Sequence, residues 1–115
     1  MQYWKQQEYR VRDILRKQGW EAYRVPSSGA SELAKGDVEA RKANWRLIID
    51  HKSTRGKESI TLKRKDLEKI IEQAKDKIPI VTFSFLGHRR IFSVIDLERL
   101  LEILEEVRDG QGRSV

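Results

Sequence analysis

Three residues carry the strongest chemical signal in the sequence. They are Asp50 and Lys52, in Ile48-Ile49-Asp50-His51-Lys52, and Asp37, in Gly36-Asp37-Val38. The apolar run that ends at Asp50 reads as a strand, and strand side chains alternate. Asp50 and Lys52 therefore point to one face, and Ile49 and His51 to the other. Positions 37 and 50 are equidistant from Ala43-Asn44, so a hairpin turning there makes the two aspartates direct cross-strand neighbours. Two carboxylates so placed repel each other unless a divalent cation relieves them. Mg²⁺ prefers hard oxygen ligands and keeps several waters, so two carboxylates suffice when a phosphate supplies more oxygens. Such a metal acidifies a water and stabilises charge on an attacked phosphate. Lys52 would orient that water or stabilise the transition state. The plainer alternative is an exposed Asp50–Lys52 ion pair beside a solvated Asp37.

Glu8 is a third carboxylate. The inward stripe of the first helix runs Trp4, Glu8, Val11, Leu15, so Glu8 either points into the metal site or reaches solvent at the helix edge. Glu39 shares the face of Asp37 two residues along and is a further candidate.

The elements that must position these groups follow from periodicity. An amphipathic helix is predicted over Gln2 to Gln18, with Trp4, Val11, Ile14 and Leu15 at helical spacing and Gly19 ending it. Trp20 to Val25 reads as a strand, and Pro26 to Ser31 as an irregular loop. Gly36 to Lys42 and Trp45 to Lys52 are strands joined at Ala43-Asn44, where Asn44 tolerates positive φ. A second helix is predicted over Lys65 to Lys77, with Leu67, Ile70, Ile71 and Ala74 buried and Pro79 marking its exit. Gln73 lies at the border of that stripe. Ile80 to Phe85 is a near-continuous apolar strand, central and covered on both faces. Arg89 to Ile95 is another strand. Asp96 caps a last helix whose face is lined by Leu97, Leu100, Leu101, Leu104 and Val107. The order predicts one α/β domain over residues 1–109 on a central mixed five-stranded sheet flanked by helices, with a frayed tail at 110–115.

Composition bounds the function. A chain of 115 residues suffices for one modest core, and a formal charge of +6 suits a polyanionic partner. With no cysteine, disulfides, thiolate metal sites and cysteine catalysis are excluded. No apolar run approaches the roughly 20 residues of a membrane span, and no signal peptide is visible, so a cytoplasmic, DNA-associated location is expected.

The ordered set of Glu8 in helix one, a Ser-Ser-Gly loop after a strand, Gly36-Asp37, and Asp50-His51-Lys52 thirteen residues on resembles the archaeal Holliday junction resolvases, members of the PD-(D/E)XK nuclease superfamily. The resemblance covers roughly residues 5 to 95. It implies a restriction-endonuclease-like core. It implies Glu8, Asp37 and Asp50 around Mg²⁺, with Mn²⁺ as a substitute, a catalytic Lys52, and a loop serine that assists cleavage. Ser28 fits that serine best, with Ser27 and Ser31 as alternatives. It also implies a homodimer that nicks opposing strands of a four-way DNA junction. Two departures stand out: Gly36 replaces the usual proline before the first aspartate, and Asp50 stands where close relatives often carry glutamate.

Basic residues flank this set. Arg55 and Lys57 follow the catalytic strand, Lys63-Arg64-Lys65 opens the second helix, and Arg10 and Lys35 add to them as candidate phosphate contacts. His51 and His88 are not expected to be ligands. Ile103 on the last helix, with Ile91 and Phe92, leaves apolar surface suited to a dimer interface. Two rival readings are a nuclease of the same superfamily acting on other DNA structures and a non-catalytic DNA-binding protein with the same fold. An RNA-binding module would want paired exposed aromatics on a sheet, and no such pattern occurs.

Overall fold

The computed structural model describes residues 3–25, 37–53 and 58–113. Helix α1 (Tyr3–Lys17) leads into strand β1 (Glu21–Arg24); strands β2 (Asp37–Lys42) and β3 (Trp45–Ser53) form a hairpin. Helix α2 (Arg64–Ala74), strands β4 (Ile78–Ser84) and β5 (Phe92–Val94) and helix α3 (Leu97–Arg113) follow. The five strands lie in sequence order in a single mixed sheet. Only β3 and β4 run parallel, and α2 provides the crossover that such a pair requires. The expected α/β architecture with a five-stranded mixed sheet is therefore the observed one.

Alternation assigns each face. Val38, Ala40, Leu47 and Ile49 turn toward α1, where Val11 packs on them together with Leu15, Trp20 and Trp45. Ile48 and Val81 turn the other way and pack under Ile70 and Ala74 of α2. Helix α1 ends where Gly19 adopts a φ of +88°, and Lys42 Nζ donates to the Gln18 carbonyl at 2.8 Å, tying the β2–β3 hairpin to the helix end.

Several local expectations are corrected. The positive φ of the hairpin falls on Ala43, not Asn44, because a two-residue loop of this kind needs it at its first position. Pro79 does not mark an exit: it is the second residue of β4, beside Ile48, near the strand's beginning where a missing N–H is tolerated. Strand β5 is only Phe92–Val94, shorter than the predicted Arg89 to Ile95, since the Gly87 turn and the two following arginines leave it little apolar alternation. Ile14 and Ile71 face outward, 44% and 55% exposed, each a residue beyond the arc its helix buries.

Helix α3 differs most. Asp96 Oδ1 caps it, accepting the Arg99 N–H at 3.0 Å. The helix continues to Arg113, past Gly110, with Arg99–Glu102 and Arg108–Glu105 pairs on its flank. Ile103 is the residue that packs on the core. The main stripe is turned away from it, with Leu97 67%, Leu101 52% and Leu104 54% exposed. Among the described residues no helix is long and apolar enough to cross a membrane.

Candidate active site

The β2–β3 hairpin brings the two predicted aspartates together. Asp37 is the Cα partner of Asp50, and the pairing continues residue by residue to Lys42 and Trp45 at the turn. Cross-strand partners share a face. Asp50 pairs in turn with Val81 of β4, whose side chain lies under α2, so Asp50 occupies the α2 face near the carboxyl ends of the parallel strands, with Asp37 at the register position across from it. Open α/β sheets commonly bind ligands outside the carboxyl ends of their strands.

Asp50 is buried, and Lys52 Nζ stands 2.9 Å from its Oδ2. A buried carboxylate needs such a partner. The second anchor of Lys52 is Asp66 Oδ1, at 3.6 Å, in the first turn of α2. Burial works to lower the Lys52 pKa, but the hydrogen bond and charge of Asp50, with a further contribution from Asp66, outweigh it and hold the ammonium above its ordinary value. His51 points to the opposite face, as alternation requires. Its Nδ1 lies 2.8 Å from Thr82 Oγ1, and its Nε2 is buried with no hydrogen-bond partner among the described residues. Burial pushes His51 down to about 4, a neutral ring unsuited to phosphate binding.

Glu8 does point inward, being only 2% exposed, but toward the α1 face. Its Oε1 accepts from Arg24 Nε at 2.7 Å, and Arg24 also donates to the Tyr9 hydroxyl at 3.3 Å. Arg24 is the cross-strand partner of Val38, next to Asp37 in β2, so the Glu8–Arg24 pair belongs to the end of the sheet that carries Asp37. Nearby, Ser84 Oγ donates to Gln7 Oε1 at 3.3 Å, which sets the beginning of α1 against the end of β4.

Glu39 is drawn elsewhere. It accepts from the Tyr23 hydroxyl at 2.7 Å and pairs with Lys77 at 3.0 Å, so it belongs to the edge of the sheet beyond α2. Gln73 faces the sheet with its Oε1 buried and without a partner among the described residues. Among the candidate phosphate contacts, Lys63 is the N-cap residue of α2, Arg64 pairs with Glu68 at 2.5 Å, and Lys65 is exposed. The α2 start thus sets these cations beside Lys52 and Asp66. Arg10 donates to the Arg89 carbonyl and lines a groove with Arg12, Lys17 and Arg89 on the far side of α1. Ser28, with its alternatives Ser27 and Ser31, and Lys35, Arg55 and Lys57 lie outside the described residues.

Two residues not singled out from the sequence join the site. Asp66 is hidden in the basic run Lys63-Arg64-Lys65, although an acid in the first turn of a helix is itself a signal. Arg24 follows from alternation with Ala22: an inward cation on β1 facing an inward glutamate on α1.

The donor chemistry fits a hard divalent cation. Asp50 presents carboxylate oxygens at the position whose cross-strand partner is Asp37, with no thiolate in the chain and the neighbouring imidazole on the other face. No group of three His, Cys, Asp or Glu side chains able to hold a metal occurs among the described residues.

Known proteins bear on the same region. A family model described as archaeal Holliday junction resolvase (Hjc) matches residues 4–100. The crossover junction endodeoxyribonuclease of Sulfolobus islandicus rod-shaped virus 1 is 37% identical over 110 residues, spanning 91% of this chain and 89% of the viral protein. The solved structure of Hjc, a Holliday junction resolvase from Archaeoglobus fulgidus, is similar in fold, with a TM-score of 0.66 at 22% identity over 78% of this chain and 73% of that one. The family match takes in α1, the whole sheet and the hairpin that pairs Asp37 with Asp50, and on that ground the chain belongs to the archaeal Holliday junction resolvase family.

Proposed function

We propose that the chain is a magnesium-dependent endodeoxyribonuclease that resolves four-way DNA junctions as a homodimer, by paired symmetrical nicks. The observation that carries this reading is the direct pairing of Asp37 with Asp50 on the face where Lys52 is bonded to Asp50. The names of the family and of the viral relative support the junction as substrate. Asp37 and Asp50 would hold the cation, which supplies Lewis acidity and a more acidic water. Lys52 sets an ammonium beside that position, where it stabilises charge developing on the phosphate. Glu8, held by Arg24, would add a third carboxylate to the site. Lys63, Arg64 and Lys65 grip backbone phosphates next to the site, which gives affinity without base preference. The exposed leucines of α3 supply a self-complementary apolar surface for the second subunit.

The test compares labelled four-way junction, linear duplex and single strand, each with and without Mg²⁺, beside an Asp37→Ala variant. Paired nicks in the junction alone, lost without metal and in the variant, are expected. Equal cleavage of linear duplex would leave a nuclease without junction selectivity, and no metal-dependent cleavage of any substrate would overturn the enzymatic reading.

A further inference from the structure

We infer that Asp66 is a positioning residue for Lys52, holding the ammonium in place when Asp50 turns its carboxylate to another task. The inference rests on the nuclease reading. Lys52 Nζ touches two carboxylates from two different elements: Asp50 Oδ2 at 2.9 Å from its own strand, and Asp66 Oδ1 at 3.6 Å from the first turn of α2.

Asp50 has two roles that compete. Its Oδ2 serves Lys52 in this structure, and under the nuclease reading the same carboxylate would hold the cation. An oxygen committed to a cation is a poorer partner for an ammonium. The lysine stem is flexible, so an ammonium held by Asp50 alone would swing away from the site when that bond weakens. Asp66 is free of this conflict, because it belongs to a helix and not to the paired strands that carry the two aspartates.

The surroundings aim Asp66 at Lys52. The Asp66 N–H donates to the Lys63 carbonyl at 3.0 Å, which closes the first turn and fixes the residue's direction. Helix N-termini favour a carboxylate in that turn. Arg64, the nearest competing guanidinium in sequence, is engaged by Glu68 at 2.5 Å. The side chains of Lys52 and Asp66 are similarly accessible, 30% and 27% exposed, so they meet at the rim of the site where a phosphate would arrive.

A bridge that merely fastens α2 to β3 would show itself in stability alone. The test uses Asp66→Asn, Asp66→Glu and, as a control for loss of an acidic charge on α2, the exposed Glu72→Gln. Four properties are read: single-turnover cleavage at saturating junction with Mg²⁺, junction binding in EDTA, unfolding temperature, and the NMR signal of the Lys52 ammonium protons in metal-free protein. Asp66→Asn is expected to slow cleavage about 10- to 100-fold, the scale of a misplaced catalytic group. Junction affinity should change less than about twofold, since one rim carboxylate adds little to phosphate binding. The Lys52 ammonium signal should broaden through faster exchange. Asp66→Glu should restore a large part of the rate, and Glu72→Gln should cleave normally. Wild-type cleavage in Asp66→Asn, an unchanged ammonium signal, or an equal loss in Glu72→Gln would each overturn the proposal. A wild-type protein that cuts no junction would instead overturn the nuclease reading, and the ammonium signal, which needs neither metal nor cleavage, would still decide the Asp66 contact.

Discussion

Asp50 lies directly across the β2–β3 ladder from Asp37, on a face where Asp50 is already buried. Like charges directly opposite each other weaken a sheet. Asp37→Asn should therefore leave metal-free protein as stable as the wild type or slightly more so, while abolishing cleavage. Urea unfolding in EDTA, set beside a junction cleavage assay with Mg²⁺, reads both effects. A destabilised Asp37→Asn protein would mean that the aspartate pair is structural.

The Glu8–Arg24 bridge joins α1 to β1 with one partner almost fully buried and the other a quarter exposed. Breaking a fully buried pair by removing one partner costs about 3–5 kcal/mol. Because solvent reaches Arg24, Arg24→Ala should cost less, about 2 kcal/mol. The double variant Glu8→Gln with Arg24→Ala should recover part of that loss. Denaturant midpoints of the wild type, the Arg24→Ala and Glu8→Gln single variants and the double variant make the comparison; a strictly additive double variant would argue against coupling between the two side chains.

Acid should weaken the fold through His51. Burial lowers its pKa from 6.5 to about 4, so the unfolded chain binds a proton in a range where the folded chain does not. Stability from this source is complete above pH 6.5 and is lost as the pH falls toward 4, a loss of about 3 kcal/mol. His51→Gln in metal-free protein should flatten the stability profile over that range. Identical slopes in the two proteins would show that His51 does not titrate as a buried neutral ring.

Leu101 and Leu104 of α3 are more than half exposed, so their replacement should cost little stability in a single subunit. If α3 forms the subunit contact, Leu101→Glu with Leu104→Glu should convert a dimer to a monomer by light scattering. Paired nicks should then become single nicks. A wild-type protein that is already monomeric at micromolar concentration would rule out this surface as the contact.

Much of the site was legible in the order of residues because hairpin register is arithmetic. A two-residue turn at Ala43-Asn44, flanked by alternating segments, leaves no freedom in which residue opposes Asp50. The same period of two placed Lys52 with Asp50 and turned His51 away. The helices and the five-strand count followed from apolar spacing.

Tertiary structure decided what periodicity does not encode. An inward position on α1 said that Glu8 is covered, but only the packing of α1 on β1 showed that Arg24 receives it. The path of α2 brought Asp66 to Lys52, a meeting between positions fourteen residues apart that no local pattern predicts. The leucine stripe of α3 carries the same helical signal as a core face; which side is covered depended on where Ile103 found the sheet. Local order fixes which residues share a face, because backbone geometry is periodic. Which faces meet is set by packing between distant segments, and that belongs to the folded chain as a whole.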